Sequence, residues 1–101
     1  MLKVERWNEA VAPDADDLRR RMEAEGFHVF QWADAAGTTY ATHRHAEDQS
    51  HWIVSGALQL TVGGETYTLR AGDRDFLPAH TVHSAFVPGD EGVVYLIGAR
   101  K

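Results

Sequence analysis

The chain contains no cysteine. That excludes disulfides, thiolate zinc sites and thiol nucleophiles. Positive charge is also scarce. Ten Lys and Arg stand against fifteen Asp and Glu, a net charge of −5 with the six His neutral. This balance argues against nucleic-acid backbones and anionic membranes as partners. No apolar run approaches the ~20 residues that a membrane-spanning helix needs. Met1-Leu2-Lys3 does not open a secretory pattern. Internal repeats and low-complexity tracts are lacking too. The expectation is a cytoplasmic protein whose partner is a small molecule.

What is present fits one domain of 101 residues. So small a core gains from self-association, and a homodimer is expected. Residues 1–26 read as an N-terminal segment and helix packed on the main body. Val4, Trp7 and Val11 are its apolar anchors, with Trp7 against the domain or a partner subunit. Pro13-Asp14 opens the helix, with Asp14 as N-cap and Asp16 and Asp17 at its positive end. Gly26 stops it. Ala15, Leu18 and Met22 are its only apolar face, which predicts a surface helix. Arg19, Arg20 and Arg21 read as a solvated face balanced by acids.

From Phe27 the hydrophobic period changes to two. About eight short strands follow over residues 27–101, separated by Gly and Pro turns, the pattern of a small all-β barrel or double-sheet jelly roll. Thr39, Ala41, His43 and His45 are expected inward on one strand, with Tyr40, Thr42 and Arg44 outward. On the next, Gln49, His51 and Ile53 are expected inward and Trp52 and Val54 outward. That outward pair needs a cover, either the N-terminal segment or a second subunit. Leu58, Leu60 and Val62 fill the core, Gly63-Gly64 turns a hairpin, and His83 and Ala85 point inward.

Four of these residues carry the functional reading. His43 and His45 are two apart, so one strand aims both imidazoles into one cavity. Gln49 adds an amide oxygen, and His83 arrives from a later segment just past Pro78. His43, His45, Gln49 and His83 together read as a four-ligand site for one divalent transition metal. The ligand types leave Mn, Fe, Ni, Zn and Cu open.

Gly37, His43, His45, Gln49 and Gly56 resemble motif 1 of the cupins, with Gln49 where that family usually has Glu. Gly72, Pro78 and His83 resemble motif 2, with His80 at a usual Gly position and Val87 at a usual Asn position. The resemblance implies a single-domain cupin β-barrel and a bound metal. Some cupins, including those that isomerise unsaturated uronates in pectin breakdown, use a His-His-Gln-His set. A neutral Gln leaves the metal charge uncompensated, which favours anionic or enolate-like ligands. The other reading of Gln49 is a hydrogen-bonder behind the ligands.

His51 is the candidate for catalysis, as general base. A fifth ligand, a partner to a ligand, or a packed core residue are its alternatives. His80 is either strained at positive φ or an exposed turn residue. No role falls to Tyr40, Arg44 or Asp48. Two functional classes remain. The first is an enzyme acting on a small oxygen-rich sugar acid, enol or dicarbonyl, by isomerisation or lyase chemistry, or by oxygen activation if the metal is iron. The second is a non-catalytic metal-dependent binding or sensor module.

Overall fold

The computed structural model describes residues 2–101. Nine strands and one helix follow in order: β1 (Lys3–Glu5), α1 (Ala15–Ala24), β2 (His28–Asp34), β3 (Thr39–His43), β4 (Asp48–Ser55), β5 (Ala57–Val62), β6 (Glu65–Arg70), β7 (Arg74–Phe76), β8 (His83–Phe86) and β9 (Val93–Arg100). A five-stranded sheet has the order β1-β7-β4-β9-β2, and a four-stranded sheet the order β3-β8-β5-β6. All strand pairs are antiparallel. Among the described residues no ladder joins the two sheets, so the jelly roll is an open double sheet rather than a closed ring.

Alternation builds the core between the sheets. Ile53 and Tyr95 from one sheet meet Leu58, Leu60 and Leu69 from the other, all 4% exposed or less. Their alternate neighbours on the five-stranded sheet face outward. Trp52 and Leu96 would lie bare there, but Leu18 and Met22 of α1 and Phe27 cover them. The cover therefore comes from the chain itself. Burying a side chain of this size fully contributes roughly 1.5–3 kcal/mol, and Leu18 and Met22 are both fully buried. Asp14 caps the helix, its side chain accepting from the Asp17 amide at 3.0 Å. Gly26 ends it at φ 95°. The Arg run is balanced as expected: Arg21 pairs with Glu9 and Asp17, and Arg20 with Asp17.

The N-terminal segment is pinned by Trp7, whose side chain lies flat over Gly72; a Cβ there would overlap the Trp7 ring. Gly56 is fixed in the same way, since its φ is +79° and a Cβ would run into the Gly92 carbonyl. Both are glycines of the recurrent motifs.

Several features depart from the sequence reading. Val11, expected as an apolar anchor, is 71% exposed, because the chain there runs off the body before the helix begins. His45, expected on one strand with His43, lies just past the end of β3. Lys3–Glu5 is a strand, pairing with Arg74–Phe76. Three residues are too few to show a period, so the segment read only as a lead-in. Another departure is a bulge in β3. Tyr40 pairs with Ala85 and His43 with His83, so three steps on β3 match two on β8. The extra residue reverses the faces upstream of His43. Thr39 and Ala41, expected inward, are exposed. Tyr40, expected outward, lines the cavity.

Candidate metal centre

Between the sheets, beside the edge strands β2 and β3, lies a cavity of about 740 Å³. That is within the usual range of small-molecule sites. His43, His45, Gln49, His51 and His83 all line it. The five residues singled out in the sequence thus share one cavity.

Ligand atoms of His43, His45 and His83 lie within 4.8 Å of one another. Ring centroids are 4.3 Å apart for His43 and His83, and 4.8 Å for His43 and His45. The tautomers follow from the backbone. His43 Nδ1 is 2.6 Å from the Ala41 carbonyl, and His83 Nδ1 is 2.8 Å from the Thr81 carbonyl. A carbonyl only accepts, so each Nδ1 carries the hydrogen and each Nε2 keeps a free lone pair. Burial pushes His45 below the ordinary imidazole value, and the neighbouring His43 and His83 push it further. Burial also lowers His83, against the opposing pull of the Thr81 carbonyl. Oriented neutral imidazoles, crowded together, fit a divalent transition metal. Gln49 lies in the same wall, offering a neutral oxygen.

The segments that carry His45 and Gln49 are tied to the second motif by hydrogen bonds. Gln49 and Leu77 exchange both hydrogen bonds, at 2.9 and 2.7 Å. The Ala79 amide donates to Asp48 Oδ1 at 2.8 Å. The His80 amide donates to the His45 carbonyl at 2.7 Å, and His80 sits at φ 66°. Its side chain is exposed, so His80 combines the two readings, a turn residue held at positive φ.

His51 is buried but reaches the cavity. Its backbone amide donates to Asp75 Oδ1 at 2.6 Å, and its Nδ1 lies 3.0 Å from Asp75 Oδ2. Asp75 is fully buried. Burial works against a charged His51 ring, but the Asp75 carboxylate outweighs it and raises the ring above its ordinary value. With Nδ1–H turned to Asp75, Nε2 is the atom left to take a proton.

Several residues around the cavity were not pointed to by the sequence. Asp75 read as the start of a short strand, with no role of its own; the signal was a core His needing an acceptor for Nδ1. Asp34 accepts from Tyr40 and Tyr95 hydroxyls, both at 2.8 Å, and from Trp32 Nε1 at 3.2 Å. Burial and the Asp34 carboxylate hold both phenols above their ordinary values, hence neutral. Tyr40 was hidden by the bulge. Phe30 and Trp32 share a face on β2, opposite Ile97 and Tyr95, and also line the cavity. Their period-two spacing was visible, but not which face turned inward.

An open double sheet with a histidine cluster in its cavity defines a class: small jelly-roll proteins with a side-chain-lined cavity between their sheets. The chain belongs to the cupin family, since residues 30–97 match the family described as the cupin domain. An uncharacterised protein of Streptomyces coelicolor is 35% identical over 66 residues, which are 65% of this chain and 59% of that protein. The chain thus spans about three fifths of that relative's length. The structure of KdgF from Halomonas sp. is similar with a TM-score of 0.60 and 28% identity, covering 74% of this chain and 71% of that one. A Cupin 2 conserved barrel domain protein from Salinispora arenicola has a TM-score of 0.68 and 20% identity, covering 99% and 76%.

Proposed function

We propose that this cupin is a metal-dependent enzyme that moves a proton on a small, oxygen-bearing substrate, as in isomerisation or lyase chemistry. His43, His45, Gln49 and His83 are the residues to hold one divalent transition metal. Bound there, the metal would supply Lewis-acid polarisation of a substrate carbonyl or enol oxygen. His51 is the general base. Asp75 fixes its tautomer and stabilises the imidazolium formed when Nε2 accepts a proton. The observation that carries this reading is the buried His51–Asp75 pair opening into the same cavity as the three oriented imidazoles. A binding or sensor module needs ligands but has no use for a held base beside them.

The test is deuterium exchange at the carbon next to the ketone of phenylpyruvate in heavy water, followed by proton NMR with zinc-loaded protein. Exchange should exceed that of buffer with zinc, and His51→Ala should lower it by roughly a hundredfold or more at unchanged zinc content. If His51→Ala exchanges as fast as the parent, the base assignment is wrong. If it loses zinc, His51 is a ligand.

A further inference from the structure

We infer that the cavity takes a substrate with an aromatic or other planar apolar body, its chelating oxygens at one end, rather than a sugar acid. The inference rests on the metal reading for the position of the oxygens, and on the cavity wall for the rest.

The wall divides into two regions. One holds the histidines and Gln49. The other is built by Phe30, Trp32, Leu58, Leu60, Ala85 and Ile97. A polyhydroxylated acid needs a hydrogen-bonding partner for nearly every oxygen it buries. Beyond the histidines and Gln49, few partners are free. The Tyr40 and Tyr95 hydroxyls and the Trp32 indole N–H are all turned to Asp34. Gln31 is exposed on the strand. Arg19 also lines the wall; its NH1 donates to the Val29 carbonyl at 2.9 Å, which leaves its other N–H groups and the Gln31 amide as the polar groups of this region. So the second region offers faces and methyl groups, with little for a sugar hydroxyl to bond.

Exposure points the same way. Phe30 is 60% exposed and Trp32 51% exposed, although both share the inward face of β2 with Ile97 and Tyr95 opposite. They are open to solvent at the cavity mouth. Large aromatic side chains at a cavity mouth are a stacking surface. Trp32 Nε1 donates to Asp34 Oδ1 at 3.2 Å, a contact that favours one orientation of the indole face. A planar ring seated there would run from the indole toward the histidines, which takes the chelating oxygens to the metal.

Titration calorimetry tests this with three probes on zinc-loaded protein: phenylpyruvate, pyruvate and galacturonate. The first two carry the same chelating group and differ only in the ring. Phenylpyruvate should bind roughly tenfold or more tightly than either of the others, the size of one good aromatic contact plus apolar burial. Trp32→Ala should remove most of that advantage and leave pyruvate affinity and zinc content unchanged. Trp32→Phe should keep most of it, which separates the ring from its hydrogen bond. Metal-free protein is titrated in parallel with 2-naphthol, whose binding should depend on Trp32 without any metal. Failure of zinc to bind would therefore sink the metal reading alone. Galacturonate binding as tightly as phenylpyruvate, or a Trp32→Ala protein that keeps the preference for the ring, would overturn the inference.

Discussion

Asp73 and Asp75, two residues apart, do different work. Asp73 ties the N-terminal segment down. It accepts from the Trp7 amide at 2.9 Å, the Arg70 amide at 2.9 Å and Arg6 NH1 at 3.0 Å. Burial pushes its carboxyl up, but these hydrogen bonds outweigh burial and hold it below the ordinary carboxylate value. A lowered folded-state value means the folded chain binds the proton less readily than the unfolded chain. Its stabilisation is therefore complete above the unfolded value of about 3.9 and is lost as pH falls through the lowered folded value. Asp73→Asn should cost about 1–3 kcal/mol at neutral pH, measured by urea unfolding, and the gap to the parent should narrow in acid. An equal gap at about pH 7 and about pH 3 would show that the charge is irrelevant. The histidines were legible in the sequence as a close-spaced pair and a later partner, although His45 lies just past the end of β3 and not on the strand with His43. Asp75 was not, because Asp75-Phe76-Leu77 read only as a short strand, and so few residues do not show which face is buried. Asp75 pairs with Val4 of β1 and is fully buried.

At the scale of elements, the strand pattern and the helix were readable for one reason: each has a sharp local signal. Asp14 and Gly26 bound the helix, and alternation marked β4, β5 and β8. The β3 bulge was not readable, because nothing local distinguishes the extra residue between Tyr40 and His43; the register is set by β8 across the sheet. The short β1 is the same case, a strand only because the edge of β7 is there to receive it. The helix also shows what an element contributes beyond its own stability. With Leu18 and Met22 it covers Trp52 and Leu96, on the reverse face of the strands that carry Gln49 and His51. Leu18→Ala should destabilise the protein by about 2–5 kcal/mol in thermal or denaturant unfolding. A loss below roughly 0.5 kcal/mol, as for a surface site, would mean that the helix is not docked as described.

On the scale of the whole molecule, the site is a product of sheet order. His43 and His83 are neighbours because β3 pairs with β8. Gln49 and His51 face them from β4 in the opposite sheet. The bonds between Gln49 and Leu77 and between His80 and His45 lock the second motif onto the first. Residues far apart in sequence thus converge, and the Ala41 and Thr81 carbonyls orient the His43 and His83 rings. The sequence disclosed the donors and their convergence, while the apolar half of the cavity emerged only when β2 was seen to turn Phe30 and Trp32 inward. The central claim is a metal held by this cluster. Its most direct test is the metal content per chain, by mass spectrometry of the purified protein, with His83→Ala measured in parallel. About one equivalent of a divalent transition metal in the parent, lost in His83→Ala, is the predicted result. No metal after reconstitution, or full occupancy retained in His83→Ala, would contradict it.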